Sequence, residues 1–121
     1  MPSKKIIAAK EIYENLCEKG FYEEASLDKD EIKKIVTLTF EDYEFGKKLR
    51  DFKNPNWRVI FNINYDALRE LCDALVRFEK IKISNHQGLF AFVVLKFPEL
   101  DLGWEFFEAI RNIRNFNKYK G

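Results

Sequence analysis

The sequence predicts an all-α protein, an antiparallel up-and-down bundle of four to five helices. Three observations carry this. Apolar residues recur at helical spacing in nearly every segment. The breaks between segments are short and hold cap and stop residues, among them Gly20, Asp28, Asn54–Pro55, Ser84 and Pro98. No internal repeat or low-complexity tract interrupts the pattern. With 121 residues, the chain has room for a single domain, 1–121, around one core. Its 46% hydrophobic and 34% charged residues describe a globular chain, not a disordered one.

The first helix is expected from about Lys4 to Lys19, with Ile6, Ile7, Tyr13, Leu16 and Cys17 near helical spacing and Gly20 as its stop. Residues Phe21 to Ser26 read as a connection. Asp28 and Glu31 form an Asp-x-x-Glu capping box for a second helix reaching about Phe52. Its expected buried stripe is Ile32, Ile35, Val36, Thr39, Phe40, Tyr43 and Leu49. In NPNW, Asn54 can cap and Pro55 suits the first helical position. The third helix then runs to about Lys80, with Trp57, Phe61, Leu68, Leu71, Cys72, Leu75 and Phe78 on its apolar face; Asn62, Asn64, Asp66, Arg69 and Asp73 take other positions.

A break at KIS precedes Ser84 and Gln87, a Ser-x-x-Gln capping box. It favours a helix from Asn85 to about Lys96 over a buried strand. That helix is apolar almost all round, so it lies either at the centre of the bundle or at an interface. Pro98 ends it, and Asp101 is expected to start a last helix bearing Trp104, Phe107, Ile110 and Ile113.

A net charge of +1 excludes a global basic footprint for nucleic acid but leaves room for a local patch. No apolar run approaches the roughly 20 residues a membrane helix needs. The N-terminus MPSKKIIAAKEI turns charged too soon for a signal peptide, so a cytoplasmic protein without membrane contact is expected. Cys17 and Cys72 read as two buried free thiols. With one histidine, His86, and no clustered Cys or acids, neither a metal site nor a cofactor is expected. His86 falls near a helix N-terminus, where the dipole disfavours imidazolium. No nucleophile motif or Gly-rich phosphate loop is present.

The tail RNIRNFNKYKG holds cations, amides and aromatics and no acid. On a helix, Arg111, Arg114 and Lys118 share a face, and Asn115 lies one turn before Tyr119. Arg grips phosphate bidentately, Asn and Tyr can hydrogen-bond phosphate, sugar or base, and Tyr can stack on an unpaired base. The alternative is a basic last turn that complements the helix dipole. That accounts for Lys118 and Lys120 better than for Arg114 and Asn115.

The segment from WRVIFNINYDALRELCDALVRFEKIKISNHQGLFAF to the final WEFFEAIRNIRNFNKYKG resembles the HEPN superfamily, small helical-bundle domains of prokaryotic toxin–antitoxin and defence systems. The resemblance covers about Asn54 to Gly121. Active members carry Arg, four to six residues, then His, often with Asn after the Arg. Arg114–Asn115 matches the first half, and Tyr119 stands at the His position. The resemblance implies a homodimer whose paired last helices line a cleft. It also implies metal-independent RNA cleavage in active members and, for many, a small nucleotidyltransferase partner encoded alongside. Tyr119, with a reference pKa of about 10 against about 6.5 for His, is a poor proton carrier near neutral pH. Relatives usually continue with another helix past this Tyr-x-Gly, so self-association is expected to cover apolar surface here. The leading expectation is an RNA-binding or accessory module with lost or weak ribonuclease activity. Arg114, Asn115 and Tyr119 would form the degenerate catalytic signature, and Arg111, Arg114 and Lys118 the phosphate contacts. The alternatives are an endoribonuclease toxin, with His86 as proton carrier, and a purely structural interaction domain.

Overall fold

The computed structural model describes the backbone of residues 4–119 and the side chains of residues 7–117. The all-α class holds. Five helices are present among the described residues: α1 (Lys4–Glu18), α2 (Lys29–Leu49), α3 (Trp57–Arg77), α4 (His86–Lys96) and α5 (Trp104–Tyr119). Two three-residue strands, β1 (Tyr22–Glu24) and β2 (Ile81–Ile83), pair antiparallel with Tyr22 opposite Ile83. Both lie where the sequence reads as a connection or break, because three residues hold too little alternation to signal a strand. None of the described helices is long and apolar enough to cross a membrane.

Local chemistry sets the helix starts, sometimes one or two residues from the expected cap. Asp28 caps α2, accepting from the Glu31 N–H at 3.0 Å. The Glu31 side chain does not close the box. Its Oε1 takes Arg77 Nη1 at 2.6 Å instead, a charge-assisted bond stronger than one to a neutral amide. Asn56, not Asn54, caps α3 and accepts from the Val59 N–H. Asn85, not Ser84, caps α4 and accepts from the Gly88 N–H at 2.9 Å. Gln87 is thereby released from the expected box. The last helix begins at Trp104 and not at Asp101, because Pro98–Leu100 forms a 3-10 turn that ends with Asp101 at φ 51°.

Helix α4 takes the central position. It packs on α1, α3 and α5, and Leu89 through Val93 are all buried. That explains a helix with no polar face, and it removes α4 as an interface for a partner. Phe90 stacks on Phe107 of α5, with centroids 4.4 Å apart and planes 11° apart. It also meets Tyr65 of α3 edge-on at 5.9 Å. Cys72 is buried in this core, whereas Cys17 is exposed, contrary to expectation.

Helix α2 packs principally on α3, so its buried seam is narrower than expected. Ile32, Thr39 and Gly46, seven residues apart, are buried, while Phe40 and Tyr43 of the expected stripe are exposed. Trp57 and Phe78, at the two ends of α3, are exposed as well. Gly88 lets α1 and β1 close on α4. A Cβ there would lie 2.8 Å from Leu16 Cδ1 and 3.0 Å from Tyr22 Oη, whose hydroxyl donates to the Gly88 carbonyl at 2.8 Å. Gly88→Ala is expected to lower stability by about 1–3 kcal/mol through overpacking. An unchanged urea midpoint would contradict that reading of the contact.

Candidate functional site

Three helices converge on Tyr65. It lies on α3 and is 3% exposed, and its Oη sits 3.3 Å from Nδ1 of His86, the first residue of α4. Which of the two donates depends on the imidazole tautomer. Burial pushes the Tyr65 hydroxyl above its ordinary pKa; Arg111, Arg114 and Arg69 pull it down, and Asp66 adds a smaller upward push. The net shift is upward, so Tyr65 is a neutral phenol at physiological pH, ringed by three guanidinium groups.

Sequence spacing puts those groups there. Arg69 follows Tyr65 by one turn of α3, and Arg111 and Arg114 are one turn apart on α5. The Arg114 guanidinium carbon lies 5.8 Å from the Tyr65 ring centroid, in cation–π range, and Nη2 reaches Asp66 Oδ1 at 3.5 Å. Arg111 contacts Glu108 through Nε at 3.3 Å and Nη2 at 3.5 Å, and Gln87 Nε2 donates to the same carboxylate. Arg69 Nη2 is 3.7 Å from Glu70, whose Oε2 also accepts from Thr39.

These pairs are loose. Charge-assisted bonds settle at about 2.7–2.9 Å, and Arg77 shows a satisfied guanidinium in the same molecule. It holds Glu31 at 2.6 Å and Asp73 at 3.0 Å; burial pulls its pKa down, and the two carboxylates more than offset that. Around Tyr65, by contrast, Nε of Arg69 and Nε of Arg114 are both buried with no hydrogen-bond partner. A buried donor left unpaired costs about 1–3 kcal/mol. The three side chains are themselves 19–28% exposed, so their outer nitrogens are open to solvent while the two Nε atoms are not.

Beside it, between α3 and α5, lies a cavity of about 280 Å³ lined by Phe61, Asn64, Tyr65, Leu68, Phe106 and Ile110. Across Asn64 and Leu68 is a second, of about 220 Å³, between α2 and α3, lined also by Thr39, Phe40 and Tyr43. Asn64 Oδ1 is buried without a hydrogen-bond partner. Among the described residues, no group of three His, Cys, Asp or Glu could hold a metal ion.

Of the site residues expected from sequence, Arg111 and Arg114 come together around Tyr65, and Tyr65 links them to His86. Neither arginine is the bare cation the acid-free tail suggested, because Glu108 and Asp66 face them. Asn115 is exposed; it is Asn117 that reaches α3, with Nδ2 3.4 Å from Asn62 Oδ1. The side chains of Lys118 and Tyr119 lie outside the described residues. Tyr65, Arg69, Asp66 and Glu108 are absent from the sequence-based set. A signal for two of them exists: Asn62, Asp66, Arg69 and Asp73 fall at i, i+4, i+7 and i+11, one polar stripe beside Tyr65 on an otherwise amphipathic helix. Comparison of the chain with protein-family models, with curated proteins and with solved structures finds no match.

Proposed function

We propose that the protein is an RNA-binding module of the HEPN-like bundle kind, an accessory member of a toxin–antitoxin or nucleotidyltransferase system, and that Arg69, Arg111 and Arg114 hold backbone phosphate. The observation that supports it is a three-arginine cluster around Tyr65 whose side chains are 19–28% exposed and whose ion pairs, at 3.3–3.7 Å, are long. A phosphate oxygen can approach the exposed guanidinium nitrogens more closely than the Glu70, Glu108 and Asp66 carboxylates do. Apolar side chains exposed on α5, Ile113 and Phe116, favour a homodimer, and those on α2, Leu38, Phe40 and Phe45, favour a protein partner such as a nucleotidyltransferase.

The test is fluorescence anisotropy of a labelled single-stranded RNA titrated at several salt concentrations. Wild type should lose affinity with a slope of about 0.7 in log K per log salt for each phosphate neutralised. Arg114→Ala should bind more weakly, with a slope shallower by about that increment. Equal affinity and equal slope would refute the assignment.

A second reading, a metal-independent endoribonuclease, gains support from one contact. Tyr65 stands between His86 and Arg114, so an imidazole from α4 and a guanidinium from α5 meet the same phenol. Cleavage of end-labelled RNA in chelator by wild type, and not by His86→Ala, would carry that reading. Intact RNA after prolonged incubation would remove it.

A further inference from the structure

We infer that the cavity between α3 and α5 is a base subsite, which takes one unpaired nucleobase of the strand whose phosphate lies on the arginine cluster. This rests on the RNA reading above and adds a second, uncharged component to it. Three observations support it.

The cavity and the cluster share a residue. Tyr65 lines the one and carries Arg114 over its ring in the other. A nucleotide has the same polarity, an anionic phosphate joined through a ribose to a flat, largely apolar ring. The size also fits. At about 280 Å³ the cavity falls just short of the roughly 300–1,000 Å³ of sites for larger ligands, so it suits a single ring system.

The walls are of the type that bases stack on. Phe61 and Phe106 face it from the two helices. Phe106 is 53% exposed, yet its ring is braced against buried Phe107, centroids 5.8 Å apart, and Phe107 in turn stacks on Phe90. An exposed phenyl held by the core loses little freedom when a base covers it. Asn64 adds no acceptor to the cavity, because its buried Oδ1 is turned towards α2, 3.8 Å from where a Cβ of Gly46 would stand. An aliphatic side chain from a partner protein would fill the same space but bring no anion to the neighbouring arginines.

The experiment compares an adenine RNA hexamer with a hexamer of the same ribose–phosphate backbone whose bases are removed. The phosphate charges are identical, so the arginine cluster alone cannot separate them. The intact hexamer should bind about tenfold more tightly, the scale of one base–aromatic stack. Phe106→Ala should bring it down to the abasic level without changing the salt slope, because stacking releases no counterions. Phe106 is exposed, so the variant should fold, and the abasic comparison needs no variant at all. Equal binding of the two hexamers, with both weakened by Arg114→Ala, would overturn the base subsite and leave phosphate binding intact. Failure of both hexamers to bind wild type would overturn phosphate binding and the subsite together. A change of molecular mass in Phe106→Ala by light scattering would assign the cavity to an interface between copies and also overturn the proposal.

Discussion

Replacing Phe90 by alanine is expected to cost about 3–5 kcal/mol. Small domains are stable by about 5–15 kcal/mol in total, so this one change would remove a third or more of the margin in most cases. Phe90 has no exposed surface, stacks face to face on Phe107 and meets Tyr65 edge-on. It therefore joins α3, α4 and α5 at one point, and that point lies under the arginine cluster. Urea denaturation of Phe90→Ala should show the loss as a shifted midpoint. Phe90→Leu should lose less, because it leaves a smaller cavity. On the proposed RNA reading, affinity for RNA should fall in Phe90→Ala even where it remains folded, since Tyr65 and Phe107 lose their common support. A loss below about 1 kcal/mol would mean that neighbouring side chains collapse into the space, and that the site does not depend on this stack.

The sequence made the helices legible and the site only partly so, for reasons that particular residues show. Long amphipathic segments such as α3 repeat their signal over many turns, so their existence was clear even where the cap was misplaced from Asn56 to Asn54. Caps move easily because Asn54 and Asn56, like Ser84 and Asn85, are chemically equivalent candidates within two residues of each other. Phe40 and Tyr43 are exposed for a different reason. Apolar periodicity reports what a helix could bury, whereas the number of neighbours decides what it does bury, and α2 has essentially one. Arg111 and Arg114 are legible in the sequence because they share one helix face. Their partners Asp66 and Tyr65 lie some fifty residues earlier in the chain, and contacts of that kind leave no local pattern. The link from His86 to Arg114 is of the same kind. Each sits on its own helix, and Tyr65 on a third helix reaches both.

Alkaline pH should unfold the protein earlier than its near-neutral net charge would suggest. Burial pushes the Cys72 thiol from 9 up to about 12, with the Asp73 carboxylate adding to the effect. Burial likewise raises the hydroxyls of Tyr22 and Tyr65. These groups are acids that stay neutral in the folded chain and ionise more readily once unfolded. The unfolded chain therefore releases more protons above the reference pKa, and stability must fall as pH rises. For Cys72 the contribution is whole below pH 9 and drains away as pH climbs from 9 towards 12. Between pH 9 and 11 this one thiol should account for a loss of about 2 kcal/mol. The tyrosines add to it above pH 10, their ordinary value. Cys72→Ala should start less stable at pH 8, because of the cavity it leaves, yet lose less between pH 9 and 11. Urea midpoints measured across that range separate the two effects. Parallel pH curves for wild type and variant would show that the Cys72 thiol ionises as freely in the folded chain as in the unfolded one. The packing around Cys72 would then be looser than its burial implies.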